Sequence, residues 1–371
     1  MTRVIPIDRY RTIGILASQD AGRTTTTERI LAIAGAAEGV VRDERAITVT
    51  SAATSIDWQG CRLNIVELPG IGRKADEAAE RAVDAVVAVV DAERGVTPEL
   101  EAALAQAAAR GLARLVFVNK LDRVGADLDG FAAAIPGGAL LQLPVGAGSG
   151  LGGIVDLVGM AGRFWNDRAL DAPAETGPVP AALQGPAEAA RARLVALAGA
   201  SAEPRALAAG LRKAVGAGAL VPVLCGSAFR NRGVRLLLDA IAAYLPAPSD
   251  IERQTVSAEG VASALLASDE AAFAGLAFRT VNDPARGRLV FVRVCSGVAA
   301  AGQTLVDGAT LRPERVGAIL RIRADHIETV DEARTGDVVA FAGLDHTTSG
   351  DALCDPAAPV ILGGYRPRTA A

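Results

Sequence analysis

From residue 12 the chain alternates short β-branched runs with Ala-rich stretches of helical spacing. Residues 12–17, 63–66, 83–90, 115–118 and 220–224 read as strands, and residues 24–34, 98–109 and 234–244 as helices. Near-continuous apolar strands separated by helices predict a parallel sheet with helices on both faces, since a strand covered on both sides has no polar face to show. Between Asp122 and Leu220 this rhythm breaks. A Gly-rich stretch at 130–155, read as loops around a short buried strand, is followed by Pro173, Pro178, Pro180 and Pro186 and then by Ala-rich helical sequence. The interval of about 130–216 is therefore expected to be an insertion. Pro246 and Pro248 mark a linker, because proline fixes φ and cannot continue a helix. Beyond it, runs at 275–278, 289–294, 316–320 and 338–341 are split by Gly, Asp and Pro, which predicts an antiparallel β-barrel. The expected domains are 9–247, carrying the insertion, and 258–364.

Composition narrows the class. A chain of 371 residues accommodates about two or three domains. Half of the residues are hydrophobic and 22% charged, which is the balance of a folded chain, and with aromatics at 4% the core must be built from Ala, Val, Leu and Ile. Lys plus Arg is 38 against 42 Asp plus Glu, a net −4, which argues against a cationic wrapper of nucleic acid; no specific DNA partner is expected. Cys61, Cys225, Cys295 and Cys354 are scattered, and His326 and His346 form no ligand pair, so neither a disulfide framework, a zinc site nor a Ser-His-Asp centre is written here. Residues 130–155 carry no charge over a span long enough for a membrane helix, but Pro136, Pro144 and eight glycines would break one. The N-terminus lacks the apolar run of a signal peptide. A cytoplasmic protein with no membrane partner is expected.

The candidate chemistry lies at strand ends. The first strand runs into Ala17-Ser18-Gln19-Asp20-Ala21-Gly22-Arg23-Thr24-Thr25, which opens a helix. In the pattern G-x-x-x-x-G-K-[ST], backbone amides and the helix N-terminus hold phosphate oxygens, the lysine reaches the β- and γ-phosphates, and the hydroxyl binds Mg²⁺. Gly22 and Thr24 match; Ala17 replaces the first glycine and Arg23 the lysine, a change that keeps the charge but not its shape. Read alone, this is also an ordinary strand-to-helix turn. Val118-Asn119-Lys120-Leu121-Asp122 stands at another strand end, where open α/β sheets bind ligands. A carboxylate at Asp122 accepts from two donors on the guanine edge, and Asn119 can read its acceptor face. Gly226-Ser227-Ala228, at the last strand end, can offer amides to the guanine carbonyl.

With these motifs in order, the chain resembles the translational GTPases, most closely bacterial elongation factor G. The runs Arg9-Tyr10-Arg11-Thr12-Ile13-Gly14-Ile15, Thr24-Thr25-Thr26-Thr27-Glu28-Arg29-Ile30-Leu31, Ile47-Thr48-Val49-Thr50-Ser51-Ala52-Ala53-Thr54, Trp165-Asn166-Asp167, Cys225-Gly226-Ser227-Ala228-Phe229 and Ser349-Gly350-Asp351-Ala352-Leu353-Cys354-Asp355-Pro356 are similar to that family. The resemblance implies an α/β P-loop NTPase, a G domain with an inserted subdomain, followed by the family's antiparallel β-barrel second domain. It implies GTP/GDP and Mg²⁺ as ligands, with Asp20, Ala21, Gly22, Arg23, Thr24, Thr25, Gly70, Asn119, Lys120, Asp122, Gly226, Ser227 and Ala228 around the nucleotide. Thr24, Thr48 and Glu67 would stand at the metal, and the ribosome would be the partner.

The departures bear on activity. The family's Asp-x-Pro-Gly-His segment reads Glu67-Leu68-Pro69-Gly70-Ile71 here. Glu67 adds a methylene to the arm expected in the metal shell. Ile71 cannot orient water, which removes a positioning group from phosphoryl transfer; it is expected to be a packing residue. Only twelve residues separate Gly35 from Thr48, and Ala46 takes a glycine position, so the first switch is short. The sequence ends just past the expected barrel, which implies that the family's translocation domains are lacking. The leading expectation is a guanine-nucleotide binder with weak or lost GTP hydrolysis. A nucleotide-free pseudo-GTPase acting as an interaction module, and a ribosome-stimulated GTPase, are the alternatives. Eight barrel arginines, Arg279, Arg286, Arg288, Arg293, Arg312, Arg315, Arg321 and Arg323, are either phosphate contacts or solvated surface.

Overall fold

A computed structural model describes residues 3–35, 52–73, 76–123, 126–165, 174–257, 260–323 and 326–367. The first unit is a seven-stranded sheet. Its strands are β1 (Tyr10–Ala17), β2 (Ala53–Trp58), β3 (Cys61–Glu67), β4 (Ala85–Asp91), β5 (Ala113–Asn119), β6 (Gly138–Leu140) and, after the insertion, β11 (Val221–Cys225), in the order β2-β3-β1-β4-β5-β11-β6. Only the β2–β3 pair is antiparallel; β1 lies parallel to both β3 and β4, and β5 to both β4 and β11. Helices α1 (Arg23–Gly35), α2 (Glu77–Ala82), α3 (Pro98–Ala109), α4 (Leu128–Ala134) and, later, α7 (Val234–Tyr244) cross over between strands. Helix α3 begins as its sequence dictates: Thr97 Oγ1 accepts from Leu100 N at 3.3 Å, and Pro98 spends no amide in the first turn.

The interval from 130 to 155 is not loops around one strand. It carries β6, then β7 (Gln142–Val145) and the start of β8 (Gly153–Asp156), which with β9 (Ala161–Phe164) and β10 (Glu175–Gly177) form a separate four-stranded antiparallel sheet. The reading failed because strands of three or four residues between glycines show no period long enough to detect. Helices α5 (Gln184–Ala198) and α6 (Pro204–Gly216) complete the insertion, with Leu194, Leu207 and Leu211 packed into the main core.

Beyond the linker, β12 (Ile251–Ser257), β13 (Ala262–Leu265) and Val360–Pro367 make a small sheet, so the second unit begins before residue 258. The main ladder of this unit has eight strands, centred on β14 (Ala274–Asp283) and β15 (Gly287–Ser296). The side-chain period of two divides β15 cleanly. Val290, Val292 and Val294 turn into the barrel's own core with Phe273 and Phe341, while Leu289, Phe291 and Cys295 face the first domain and pack with Val66, Leu68, Ala82 and Val83. Strand β3 alternates likewise: Leu63 and Ile65 enter the sheet core, and Asn64 turns to the barrel, where its Nδ2 donates to Gly336 O at 2.9 Å. The two domains therefore share one continuous apolar layer. At residues 316–318 the expected strand is absent; the ladder starts at Ile319. Among the described residues no helix is long and apolar enough to cross a membrane.

Candidate nucleotide-binding site

The C-terminal ends of β1, β3, β5 and β11 converge on one cleft of about 990 Å³. Residues 17–25, Gly70 to Arg73, Asn119, Lys120, Asp122, Arg123 and Phe229 line it. This is the edge of a parallel sheet at which ligands bind, because strand ends and helix N-termini leave backbone groups unspent.

The loop from β1 to α1 turns at Asp20 (φ 60°) and Gly22 (φ 93°). A Cβ on Gly22 would stand 2.6 Å from Asn119 Nδ2, so glycine is needed here for both φ and space. The first hydrogen bond at the start of α1 is Thr26 N to Gly22 O, 2.8 Å. That leaves the amides of Arg23, Thr24 and Thr25 open at the helix N-terminus among the described residues, with all three residues on the cleft. The Ala17 carbonyl accepts from Ile71 N at 2.9 Å and ties the Glu67–Arg73 segment to the loop. Gly70 lines the cleft with its amide unengaged among the described residues.

Asn119 is 2% exposed and clamps three segments together. Its Nδ2 donates to Ala21 O and its Oδ1 accepts from Ala228 N, both at 2.8 Å. One amide hydrogen remains for a base. Lys120 sits at φ 68°, its ammonium 2.8 Å from Asp91 Oδ2. Burial pushes the Asp91 carboxyl up, but the Lys120 ammonium and the Glu93 amide outweigh it and hold Asp91 below the usual carboxylate range. Asp122 Oδ1 is buried and has no hydrogen-bond partner among the described residues. An acceptor left in that state costs about 1–3 kcal/mol.

The loop after β11 is engaged differently from the expectation. Gly226 N donates to Val118 O, Ser227 N to Arg232 O and Ala228 N to Asn119 Oδ1, so these amides build the loop rather than face the cleft. The following residue, Phe229, is 69% exposed and lines the cleft. Sequence reasoning assigned it nothing; the available signal was an aromatic directly after the loop in a chain holding eight Phe.

At the phosphate end, Arg23 Nη1 donates to Leu68 O at 2.7 Å and Nη2 lies 3.4 Å from Glu67 Oε1. The two substituted positions thus face each other. Both side chains are about a third exposed, so the pair contributes little to stability, about 0–1 kcal/mol. For a magnesium ion, the Thr24 hydroxyl lines the cleft, while Glu67, which does not line it, has its Oε1 within 3.4 Å of Arg23. Thr48 lies outside the described residues. Ile71 packs against the main core, as a hydrophobic residue closing the cleft's edge should.

The barrel arginines are mostly spent. Arg279 Nη2 reaches Glu67 O (3.2 Å) and Asp76 Oδ2 (3.0 Å) in the first domain. Arg293 and Arg253 close on Asp84 at 2.7 and 2.9 Å. Arg323 pairs with Asp57, Arg321 with Glu328 and Asp337, and Arg288 holds the Leu344 and Thr347 carbonyls. Arg312 and Arg315 are exposed and have no side-chain partner among the described residues.

Two family models match this chain. The one described as the elongation factor Tu GTP binding domain covers residues 8–247, and the one described as elongation factor G domain 2 covers residues 272–356. A relative from Streptomyces coelicolor, "Elongation factor G 2", is 42% identical over 97% of this chain. The chain spans 57% of that relative's length. A crystal structure of a Thermus thermophilus protein shares the fold with a TM-score of 0.75 at 24% identity, over 93% of this chain and 54% of that one.

Proposed function

The chain belongs to the elongation factor Tu GTP-binding-domain family, among the translational GTPases most similar to elongation factor G, and from that premise we propose that it binds GDP and GTP in the cleft and hydrolyses GTP slowly or not at all. The observation that carries the binding is Asp122: a buried carboxylate oxygen without a partner among the described residues, beside an Asn119 clamp that already ties the loop after β1 to the loop after β11. The two donors of a guanine edge satisfy that carboxylate. Phe229 and the stem of Lys120 offer surfaces for the base, and the open amides at the start of α1 receive phosphate. When bound, magnesium supplies charge neutralisation between phosphates; in this chain Thr24 would hold it. Slow hydrolysis rests on Ile71, an apolar side chain at the position that orients water in the family.

Ribosome binding is proposed from the family alone, with the exposed barrel arginines Arg286, Arg312 and Arg315 as candidate contacts for RNA phosphates. Co-sedimentation with ribosomes tests it. The Arg23–Glu67 pair favours a second reading, an interaction module that takes no nucleotide, since it places an internal ion pair at the phosphate end.

Fluorescent GDP titrated into nucleotide-stripped protein decides between them. Saturable binding is expected, at least about tenfold tighter for GDP than for inosine diphosphate, which lacks one donor. Asp122→Ala should abolish that preference. No saturable binding would select the second reading.

A further inference from the structure

The tetrapeptide Gly70-Ile71-Gly72-Arg73 forms a tight turn over the phosphate end of the cleft. Arg73 N donates to Gly70 O at 3.0 Å, and Gly72, the third residue, has φ 80°. That is the type II turn, which requires a positive φ at its third position and so selects glycine there. The turn folds Arg73 back over Gly70: its Cδ and Nε lie 3.9 Å from the point where a side chain on Gly70 would begin. Arg73 lines the same cleft as Arg23, Thr24 and Thr25. Its guanidinium has no hydrogen-bond or ion-pair partner among the described residues, whereas Arg23 is committed to Glu67 and Leu68 O, and Lys120 to Asp91. An exposed guanidinium with no partner among the described residues thus starts beside Gly70, whose amide is unengaged among those residues, on the cleft and on the small pocket next to it.

We propose that Arg73 is a phosphate-binding arginine supplied from within the chain, which grips the terminal phosphate and makes the site prefer a nucleoside triphosphate to the diphosphate. A planar guanidinium matches two phosphate oxygens at once, and the extra phosphate supplies charge that GDP lacks at this end. The same group stands where charge builds up during phosphoryl transfer, so it stabilises bound triphosphate even though Ile71 leaves water unpositioned. This inference rests on guanine-nucleotide binding in the cleft.

The test compares GDP with the β,γ-imido analogue of GTP in the full chain, for wild type, Arg73→Ala, Arg73→Lys and Gly72→Ala. Wild type is expected to bind the analogue more tightly than GDP. Arg73→Ala should weaken the analogue by on the order of 10–100-fold, the loss of a charged hydrogen-bonding partner, and GDP by no more than about threefold. Arg73→Lys should recover only part of the loss, because it keeps charge without the fork. Gly72→Ala should lower the analogue's affinity while the guanidinium is still present. The Arg73 guanidinium has no hydrogen-bond or ion-pair partner to lose among the described residues, so the Tm of Arg73→Ala should equal that of wild type. Equal weakening of both ligands, or none, overturns the inference while leaving guanine binding standing. A wild-type chain that binds neither ligand overturns both, and Asp122→Ala, expected to weaken both ligands alike, marks the base end as the control.

Discussion

The ammonium of Lys120 is held by Asp91 on the neighbouring strand, and the pair fixes how the residue before Leu121 and Asp122 stands. Because Asp91 titrates below its ordinary range when folded, it binds fewer protons in the native state than in the unfolded one just below pH 4. The stability it contributes is complete at neutral pH and is lost as pH falls through its folded pKa. Urea midpoints measured at pH 7 and pH 3 should therefore draw closer together in Lys120→Met than in wild type; an unchanged gap would show that the pair contributes nothing. At this scale Asp122 was legible in the sequence, since a carboxylate two residues beyond Lys120 at a strand end has few structural uses. The Arg23–Glu67 pair was not. Each was visible only as a departure from a pattern, and 43 residues of chain separate two side chains that the fold sets 3.4 Å apart.

Among elements, the cleft depends on three loops being tied to one another rather than on any one of them. Asn119 supplies the tie between the β1–α1 loop and the loop after β11. Removing it in Asn119→Ala strands Ala21 O and Ala228 N in a buried place, at a cost of about 2–4 kcal/mol in urea unfolding. Nucleotide affinity should fall further than Asp122→Ala makes it fall, since the phosphate loop is released as well. The strands β1, β3, β4, β5 and β11 were each readable to within about two residues, because long apolar runs of β-branched residues have few other fates. The short strands of the insertion were hidden for the opposite reason. Their pairing is made by distant partners, and three or four residues carry no period.

Over the whole molecule, the two domains are joined by a charge buried between them. Asp84 is 1% exposed and receives Arg253 and Arg293, themselves parts of the second unit. Breaking such a cluster by removing one member leaves Arg293, fully buried on β15, without its counter-charge. Asp84→Ala is expected to cost about 3–5 kcal/mol and to turn one thermal transition into two as the domains lose their coupling. A single transition at the wild-type Tm would show that the shared apolar layer alone unites them. Arg279 extends the same join to both ends of the segment after β3, since it holds Glu67 O and Asp76 from the barrel side.

The sequence by itself determined the long strands and helices of the main sheet in their order, the change from parallel sheet to antiparallel strands at the prolines near 246–248, and the motifs at the strand ends, because these follow from local period and residue type. Only the tertiary structure decided the fate of the charges. Which arginines would be spent inside the protein and which left over depends on what lies opposite each one after folding, and a guanidinium looks the same in sequence whether it meets Asp84, as Arg293 does, or an open cleft, as Arg73 does.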